Sequence, residues 1–133
     1  MKIQMNTDEE KLNLITEKII GCAYKAHNKL GCGFAERIYE NGCALELRKL
    51  GMKVETQVPI EVLYDGVVIG NYVADMVVED LVLVENKAVL RPDDDAFLAQ
   101  CLNYLTCTRK QICLLVNYGR KVEVKRFRPP QSQ

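Results

Sequence analysis

The chain has 133 residues, of which 48% are hydrophobic and 27% are charged, and its 18 basic and 18 acidic side chains balance. This composition predicts one globular domain over residues 1–133, with an ordered core at about 7–128. Zero net charge argues against a protein that coats nucleic acid nonspecifically. No apolar run approaches the ~20 residues that span a bilayer, and the first residues lack a signal core, so we expect a cytoplasmic protein without a membrane anchor.

Charge is unevenly distributed although the total is zero. Residues 61–95 carry nine acids and two bases, whereas residues 109–128 carry seven bases and one acid. This division is typical of a metal site beside a phosphate-binding edge, and it also fits two ordinary solvated faces. The six cysteines show no CxxC spacing, so we expect reduced thiols and no zinc site.

Two helices are predicted in the first third of the chain. Apolar residues recur at helical spacing from Leu12 to Leu30, and Gly31 ends this helix. A second helix is predicted from Phe34 to Leu50, and Gly51 ends it. We expect the inward face of the second helix to carry Ile38, Tyr39, Gly42, Leu45 and Leu50.

Strand patterns dominate the rest of the chain. Val54–Tyr64 and Val67–Val78 alternate around an Asp65-Gly66 turn, which predicts a hairpin. Leu81–Val84 is apolar on both faces, which is typical of a central strand covered on both sides. The remaining elements are a helix at Asp93–Cys107 and strands at Ile112–Val116 and Val122–Phe127. The order ααβββαββ predicts an α/β fold with a mixed sheet of about five strands flanked by helices.

The central strand changes character at Glu85-Asn86-Lys87. Glu85 and Lys87 point to the same face, and burying either charge costs several kcal/mol unless it is paired or bound to metal. Either the strand end emerges into solvent with a weak ion pair, or these residues form a site. Asp75, in an apolar run on the neighbouring strand, favours the site. Asp75, Glu85 and a backbone carbonyl, here that of Asn86, are sufficient ligands for Mg²⁺ or Mn²⁺.

A shared metal site also restricts the register of the two strands. If Glu79-Asp80 formed a plain two-residue loop, Asp75 would lie opposite Val84 and on the wrong face from Glu85. We therefore expect a three-residue loop or a bulge, which places Asp75 opposite Glu85 with the two carboxylates close enough to share one cation.

Further polar residues fall on the predicted helices. Gln100 and Tyr104 are four residues apart and share a helix face, from which they can orient a metal ligand. Glu36 lies in the first turn of the second helix, where it has either a site role or a simple interaction with the helix dipole. His27, the single histidine, lies near a helix end, where the same two interpretations apply.

The chain also carries short patterns whose order is known from one protein family. They are LGxGxxExxY at Leu30–Tyr39, an aspartate at Asp75, ExKA at Glu85–Ala88 and AQxxxYL at Ala99–Leu105. Over residues 10–127 the chain therefore resembles the GxxExxY protein family. That family is placed in the PD-(D/E)XK nuclease superfamily, which has a restriction-endonuclease-like fold.

The resemblance implies roles for these residues. By it, Asp75 and Glu85 are metal ligands and Lys87 is the catalytic lysine. The further site residues that it implies are the helix pair Gln100 and Tyr104 and the upstream carboxylate Glu36. The chain departs from the superfamily pattern at Ala74, where proline is usual, and at Asn86, where an apolar residue is usual.

The resemblance implies hydrolysis of phosphodiester bonds in DNA or RNA, with Mg²⁺ or Mn²⁺ as cofactor. Because the chain contains no recognisable sequence-reading module, we expect a substrate defined by an end or a structure. The alternatives are a non-catalytic nucleic-acid- or protein-binding module that retains the nuclease fold, and a homodimer formed through an exposed strand edge.

Overall fold

The computed structural model describes residues 7–129, and both chain ends, 1–6 and 130–133, lie outside the described residues. Its elements follow the predicted order ααβββαββ. They are α1 (Thr7–Leu30), α2 (Glu36–Lys49), β1 (Val54–Tyr64), β2 (Val67–Val78), β3 (Val82–Lys87), α3 (Asp94–Thr108), β4 (Ile112–Tyr118) and β5 (Val122–Phe127). The α/β class is confirmed, whereas the assignment of the whole chain to one domain stays a prediction.

The five strands form one mixed sheet in the order β1-β2-β3-β4-β5. Neighbouring strands are antiparallel except β3 and β4, which are parallel and are connected through α3. A parallel pair needs such a long crossover. Because β3 and β4 run in the same direction, their last residues, Lys87 and Tyr118, lie at the same end of the sheet.

Apolar clusters cover both faces of the sheet. On one face, Ile19 of α1 and Leu47 of α2 pack against the sheet in a cluster that includes Val84. On the other face, Leu105 of α3 belongs to a cluster that includes Leu83. Val84 and Leu83 are both fully buried, which confirms that β3 is a central strand covered on both sides.

The predicted inward face of α2 is partly wrong. Ile38, Leu45 and Leu50 are exposed, and the packed face instead contains small residues and two glutamates. Gly42 lies against α1, where a Cβ would meet the Cβ of Ala26 at 3.4 Å. The side of α2 that carries Gly42 and its small neighbours Cys43 and Ala44 therefore packs against the rest of the fold. The buried residues of α2 are Tyr39, Glu40, Cys43, Ala44, Glu46 and Leu47.

All six cysteines are free thiols, as expected, and four of them are buried. Within residues 7–129, no helix is both long and apolar enough to cross a membrane. The cytoplasmic location stays a prediction.

Candidate active site

The register of β2 and β3 satisfies the condition for a shared site. Val78 pairs with Val82 and Met76 pairs with Val84, so a three-residue loop connects the strands. Glu79 and Asp80 in this loop both adopt left-handed backbone conformations, with φ of 54° and 59°. Continued by one residue, the register sets Asp75 opposite Glu85, as predicted.

At Asp75 and Glu85 the backbone hydrogen bonds between β2 and β3 end, and hydrogen bonds to side chains take their place. The backbone N–H of Asp75 donates to Glu85 Oε2 at 3.0 Å, and the backbone N–H of Asn86 donates to Asp75 Oδ2 at 2.7 Å. Each carboxylate thus bridges to the opposite strand. The two hydrogen bonds hold both acid groups at the end of the β2–β3 pair, where the strands separate.

Glu85 is the most enclosed of these acids, with only 2% of its surface exposed. Burial, and then the charge of Asp75, raises the pKa of Glu85 to about 8. From α3, Gln100 Nε2 lies 3.4 Å from Glu85 Oε1 and donates to the hydroxyl of Tyr104 at 2.9 Å. Burial raises the pKa of Tyr104 to about 12, so its hydroxyl stays protonated at neutral pH. The helix pair therefore lies beside one oxygen of Glu85.

Lys87 and Glu36 complete the group. Lys87 Nζ lies 5.0 Å from the ring centroid of Phe97 on α3. Burial raises the pKa of Glu36. The charge of Lys87 lowers this pKa and the charge of Asp75 raises it, so the start of α2 lies near both residues. The alternative in which this strand end emerges into solvent is wrong for Glu85. The six predicted side chains, those of Glu36, Asp75, Glu85, Lys87, Gln100 and Tyr104, lie together near the carboxyl end of β3.

Comparisons with known proteins agree with this arrangement. The sequence model of the PD-(D/E)XK nuclease superfamily matches residues 13–127. The chain belongs to the PD-(D/E)XK nuclease superfamily. Comparison with curated protein sequences gives no match. The GxxExxY family, within the superfamily, stays a prediction.

A solved structure of a nuclease has a similar fold. It is an alkaline exonuclease, LHK-Exo, from Laribacter hongkongensis, with a TM-score of 0.52 and 16% sequence identity. The match covers 95% of this chain and 73% of the exonuclease chain. At this identity the likeness concerns the fold, and it agrees with the restriction-endonuclease-like architecture expected of a superfamily member.

The donor set of this superfamily member fits a divalent cation. Asp75 and Glu85 offer adjacent carboxylate oxygens, and burial next to the charge of Asp75 makes the ionised form of Glu85 costly. Within residues 7–129, no three or more His, Cys, Asp and Glu side chains cluster as a metal site on their own. Two carboxylates with a backbone carbonyl and water are a ligand set that suits Mg²⁺, which retains several waters.

Asn86 projects to the opposite face from its neighbours Glu85 and Lys87. Its side chain is fully buried, and its Nδ2 donates to the sulfur of Met76 at 3.4 Å. Its Oδ1 has no hydrogen-bond partner among the described residues. The side chain therefore points away from the two carboxylates, toward Met76 and Glu40, and only the backbone carbonyl of Asn86 remains a candidate ligand.

Glu40 is a buried acid that the sequence analysis missed. It is 1% exposed, and the amide of Gln57 donates to both its carboxylate oxygens at 3.0 and 3.2 Å. Burial raises the pKa of Glu40, and the charge of Asp75 adds to the rise. Its signal was available, because Glu36 and Glu40 are four residues apart and share a helix face.

Tyr39, the last residue of the GxxExxY pattern, fixes the segment that leads into α2. Its hydroxyl donates to the carbonyl of Gly31 and accepts the backbone N–H of Phe34. Its ring stacks on Tyr118 of β4 with centroids 4.7 Å apart. Tyr39 thereby fixes the start of α2, and with it Glu36, relative to the sheet edge.

Proposed function

We propose that this protein is a metal-dependent nuclease that hydrolyses phosphodiester bonds in DNA or RNA, with Mg²⁺ or Mn²⁺ as its cofactor. One observation carries the proposal, namely the pair of carboxylates of Asp75 and Glu85 that brace two strands beside Lys87. Structural acids are normally exposed or paired with a base, whereas Glu85 is buried next to another acid. Membership of a nuclease superfamily supports the same interpretation.

Each residue has a distinct role in this proposal. Asp75 and Glu85 hold the cation, and Gln100 orients the free oxygen of Glu85. A divalent cation, when bound, acidifies a water molecule and stabilises charge on the phosphate. Lys87 positions the water and offsets the charge of the phosphate through its ammonium group. Glu36 supplies a further carboxylate at the same edge.

A nuclease assay with paired variants tests the proposal. Labelled single-stranded DNA, duplex DNA and RNA are incubated with Mg²⁺ or Mn²⁺ and with wild type, Lys87→Ala or Glu85→Gln. Both variants should lower the cleavage rate by about 100-fold or more. Lys18→Ala, which removes a charge from α1, is the matched control and should cleave as wild type does. Circular dichroism checks that all variants fold.

Two results would contradict the nuclease proposal. One is cleavage by Lys87→Ala at the wild-type rate. The other is a pure wild-type preparation that binds nucleic acid in the presence of Mn²⁺ but cleaves none of the substrates. The second result would favour the alternative of a non-catalytic nucleic-acid-binding module.

The β1–β2 hairpin supports a second proposal, a homodimer. Leu63, Tyr64 and Ile69 near its tip are each more than 60% exposed. Residues 54–78 contain no lysine or arginine, so the hairpin suits a protein partner better than nucleic acid. Sedimentation should give a dimer for wild type and a monomer for Leu63→Glu, and a monomeric wild type would contradict the proposal.

A further inference from the structure

A surface channel begins beside the candidate active site and ends at the turn between β4 and β5. Two depressions of about 220 and 620 Å³ form it, and they share Leu90 and Gly119. Because Phe34 lines the smaller depression and lies two residues before Glu36, the channel adjoins the Glu36 side of the site. We call it the Phe34–Arg120 channel. Its lining includes Phe34, Ala88 and Val89 at one end and Arg91, Arg120 and Lys121 at the other.

The end of the channel near the site offers exposed apolar surface. Phe34 is 46% exposed and Leu90 is 75% exposed. The ring of Phe34 packs edge-on against Tyr39 with centroids 6.1 Å apart, which fixes its orientation. A fixed, solvent-facing aromatic ring is a platform on which a nucleic-acid base stacks.

The far end of the channel is basic. Arg91, Arg120 and Lys121 are exposed, and within residues 7–129 no hydrogen bond or ion pair engages their charged groups. Glu123 is the acid in the lining, so the local charge is positive. Cations that have no partner within the fold are available for phosphate groups.

The floor between the two ends is held in place by one buried side chain. Asn117 of β4 is 4% exposed, and its amide accepts the backbone N–H of Val89 at 3.0 Å and donates to its carbonyl at 2.9 Å. This amide continues the β3–β4 ladder beyond Lys87. The segment that lines the channel is therefore fixed relative to the site.

The turn between β4 and β5, which carries Arg120 and Lys121, is also held by α1 and the residues that follow it. His27 Nε2 lies 2.8 Å from the carbonyl oxygen of Gly119 and donates to it, and Cys32 Sγ donates to the carbonyl of Arg120 at 3.4 Å. A Cβ on Gly119 would lie 3.2 Å from the carbonyl oxygen of Val89, so glycine permits this close approach. These contacts position Arg120 at the channel.

We propose that the Phe34–Arg120 channel binds a single-stranded segment of nucleic acid. Bases stack on Phe34, and the phosphates that follow contact Arg91, Arg120 and Lys121. On the opposite side of the site, the hairpin at residues 54–78 has three acids besides Asp75 and no base, so the nucleic-acid backbone leaves the site toward the channel only. An unpaired strand is required because the bases of a duplex are stacked on each other and are not accessible to Phe34. The inference deepens the proposed nuclease function and rests on it.

Fluorescence anisotropy without divalent metal measures binding independently of cleavage. The probes are labelled single-stranded DNA and RNA of about 12 nucleotides and a duplex of the same length. We expect the single strands to bind roughly 5-fold more tightly than the duplex, and Phe34→Ala to weaken single-strand binding roughly 5-fold or more. Arg120→Ala/Lys121→Ala should weaken it similarly and reduce the slope of log K against log[salt] by roughly 1.4.

Matched controls separate the channel from general surface effects. Leu14→Ala removes an exposed apolar side chain from the distant half of α1, and Lys11→Ala/Lys18→Ala removes two charges from the same half. Both should bind within about 2-fold of wild type.

The outcomes separate the channel from the nuclease proposal. If the binding pattern holds but no substrate is cleaved, the channel stands and the nuclease proposal fails. If Lys87→Ala abolishes cleavage while Phe34→Ala and the Arg120/Lys121 double variant bind as wild type does, the nuclease proposal stands and the channel is wrong. Tighter binding to the duplex, or equal losses in the control variants, would also overturn the channel.

Discussion

The backbone N–H of Asp75 donates to a carboxylate oxygen of Glu85. This bond places two acids side by side at the end of a strand pair, and Glu85 is almost fully enclosed. In the folded protein the negative charge of Glu85 is therefore unfavourable, and either a bound cation or a proton can neutralise it. The first two predictions follow from these two ways of relieving it.

We predict that Mn²⁺ or Mg²⁺ stabilises the fold through Glu85. A ligand that binds only the native state at 100 times its Kd adds about 2.7 kcal/mol, which raises Tm by several degrees. Thermal unfolding with metal and with a chelator measures the shift. Glu85→Gln should lose most of it, and Glu61→Gln on the hairpin should keep it. An equal shift in both variants would place the metal elsewhere.

We predict that the metal-free protein loses stability as pH rises toward 8. The pKa of Glu85 is about 8 in the fold and about 4.3 in an unfolded chain. Between these values the native state binds more protons, so the free energy of unfolding falls with rising pH, by a few kcal/mol. Urea unfolding in a chelator across this range measures the slope. Glu85→Gln should flatten it, and an unchanged slope would assign it to other groups.

We predict opposite results for two substitutions at Glu40. Glu40→Ala should lower the free energy of unfolding by about 1–3 kcal/mol, because it leaves the amide of Gln57 without its acceptor. Glu40→Gln keeps an acceptor for Gln57 and removes a buried charge whose ion pair, with Arg37 at 3.4 Å, involves a largely exposed and therefore weak partner, so its stability should match or exceed that of wild type. Urea midpoints measure both. If Glu40→Gln is as unstable as Glu40→Ala, the negative charge of Glu40, and not its role as an acceptor for Gln57, stabilises the fold.

We predict that Tyr39→Phe reduces both stability and activity. The substitution keeps the ring on Tyr118 and removes the hydroxyl that bridges Gly31 and Phe34. The expected loss is about 1–2 kcal/mol. The cleavage rate should fall, because Glu36 shifts with the start of α2. Tyr64→Phe on the hairpin tip is the control, and equal activity of both variants would exclude a positioning role.

The strands could be predicted well because the apolar pattern of β3 and the need for a shared site both determine which face each side chain occupies. Leu83 and Val84 face different helical layers, and a continuous apolar run indicates that condition directly. The pairing of Asp75 with Glu85 was expected from the assumption of a shared metal site, because side chains alternate strictly along a strand and only that register puts both acids on one face. Neither inference required knowledge of the helices.

The face of α2 could not be predicted for a physical reason. Hydrophobic periodicity selects large apolar residues, which at Ile38 and Leu45 are exposed, whereas the packed face is defined by the closeness of α1. Glu40 lies on that packed face, and its spacing of four residues from Glu36 was the one local signal for it. The role of His27 depends on Gly119, which is 92 residues away along the chain, and no local pattern reports such a contact.

The path from Asp75 to Glu85 consists of three equal parts: residues 76–78 along β2, the loop 79–81, and residues 82–84 along β3. One residue inserted into either strand part would turn one carboxylate to the other face. An insertion into the loop leaves the pairing of both strands unchanged, and the loop lies roughly 10 Å from the carboxylates at about 3.4 Å per residue. An insertion into the Glu79–Leu81 loop should therefore disturb the acid pair less than an insertion into either strand.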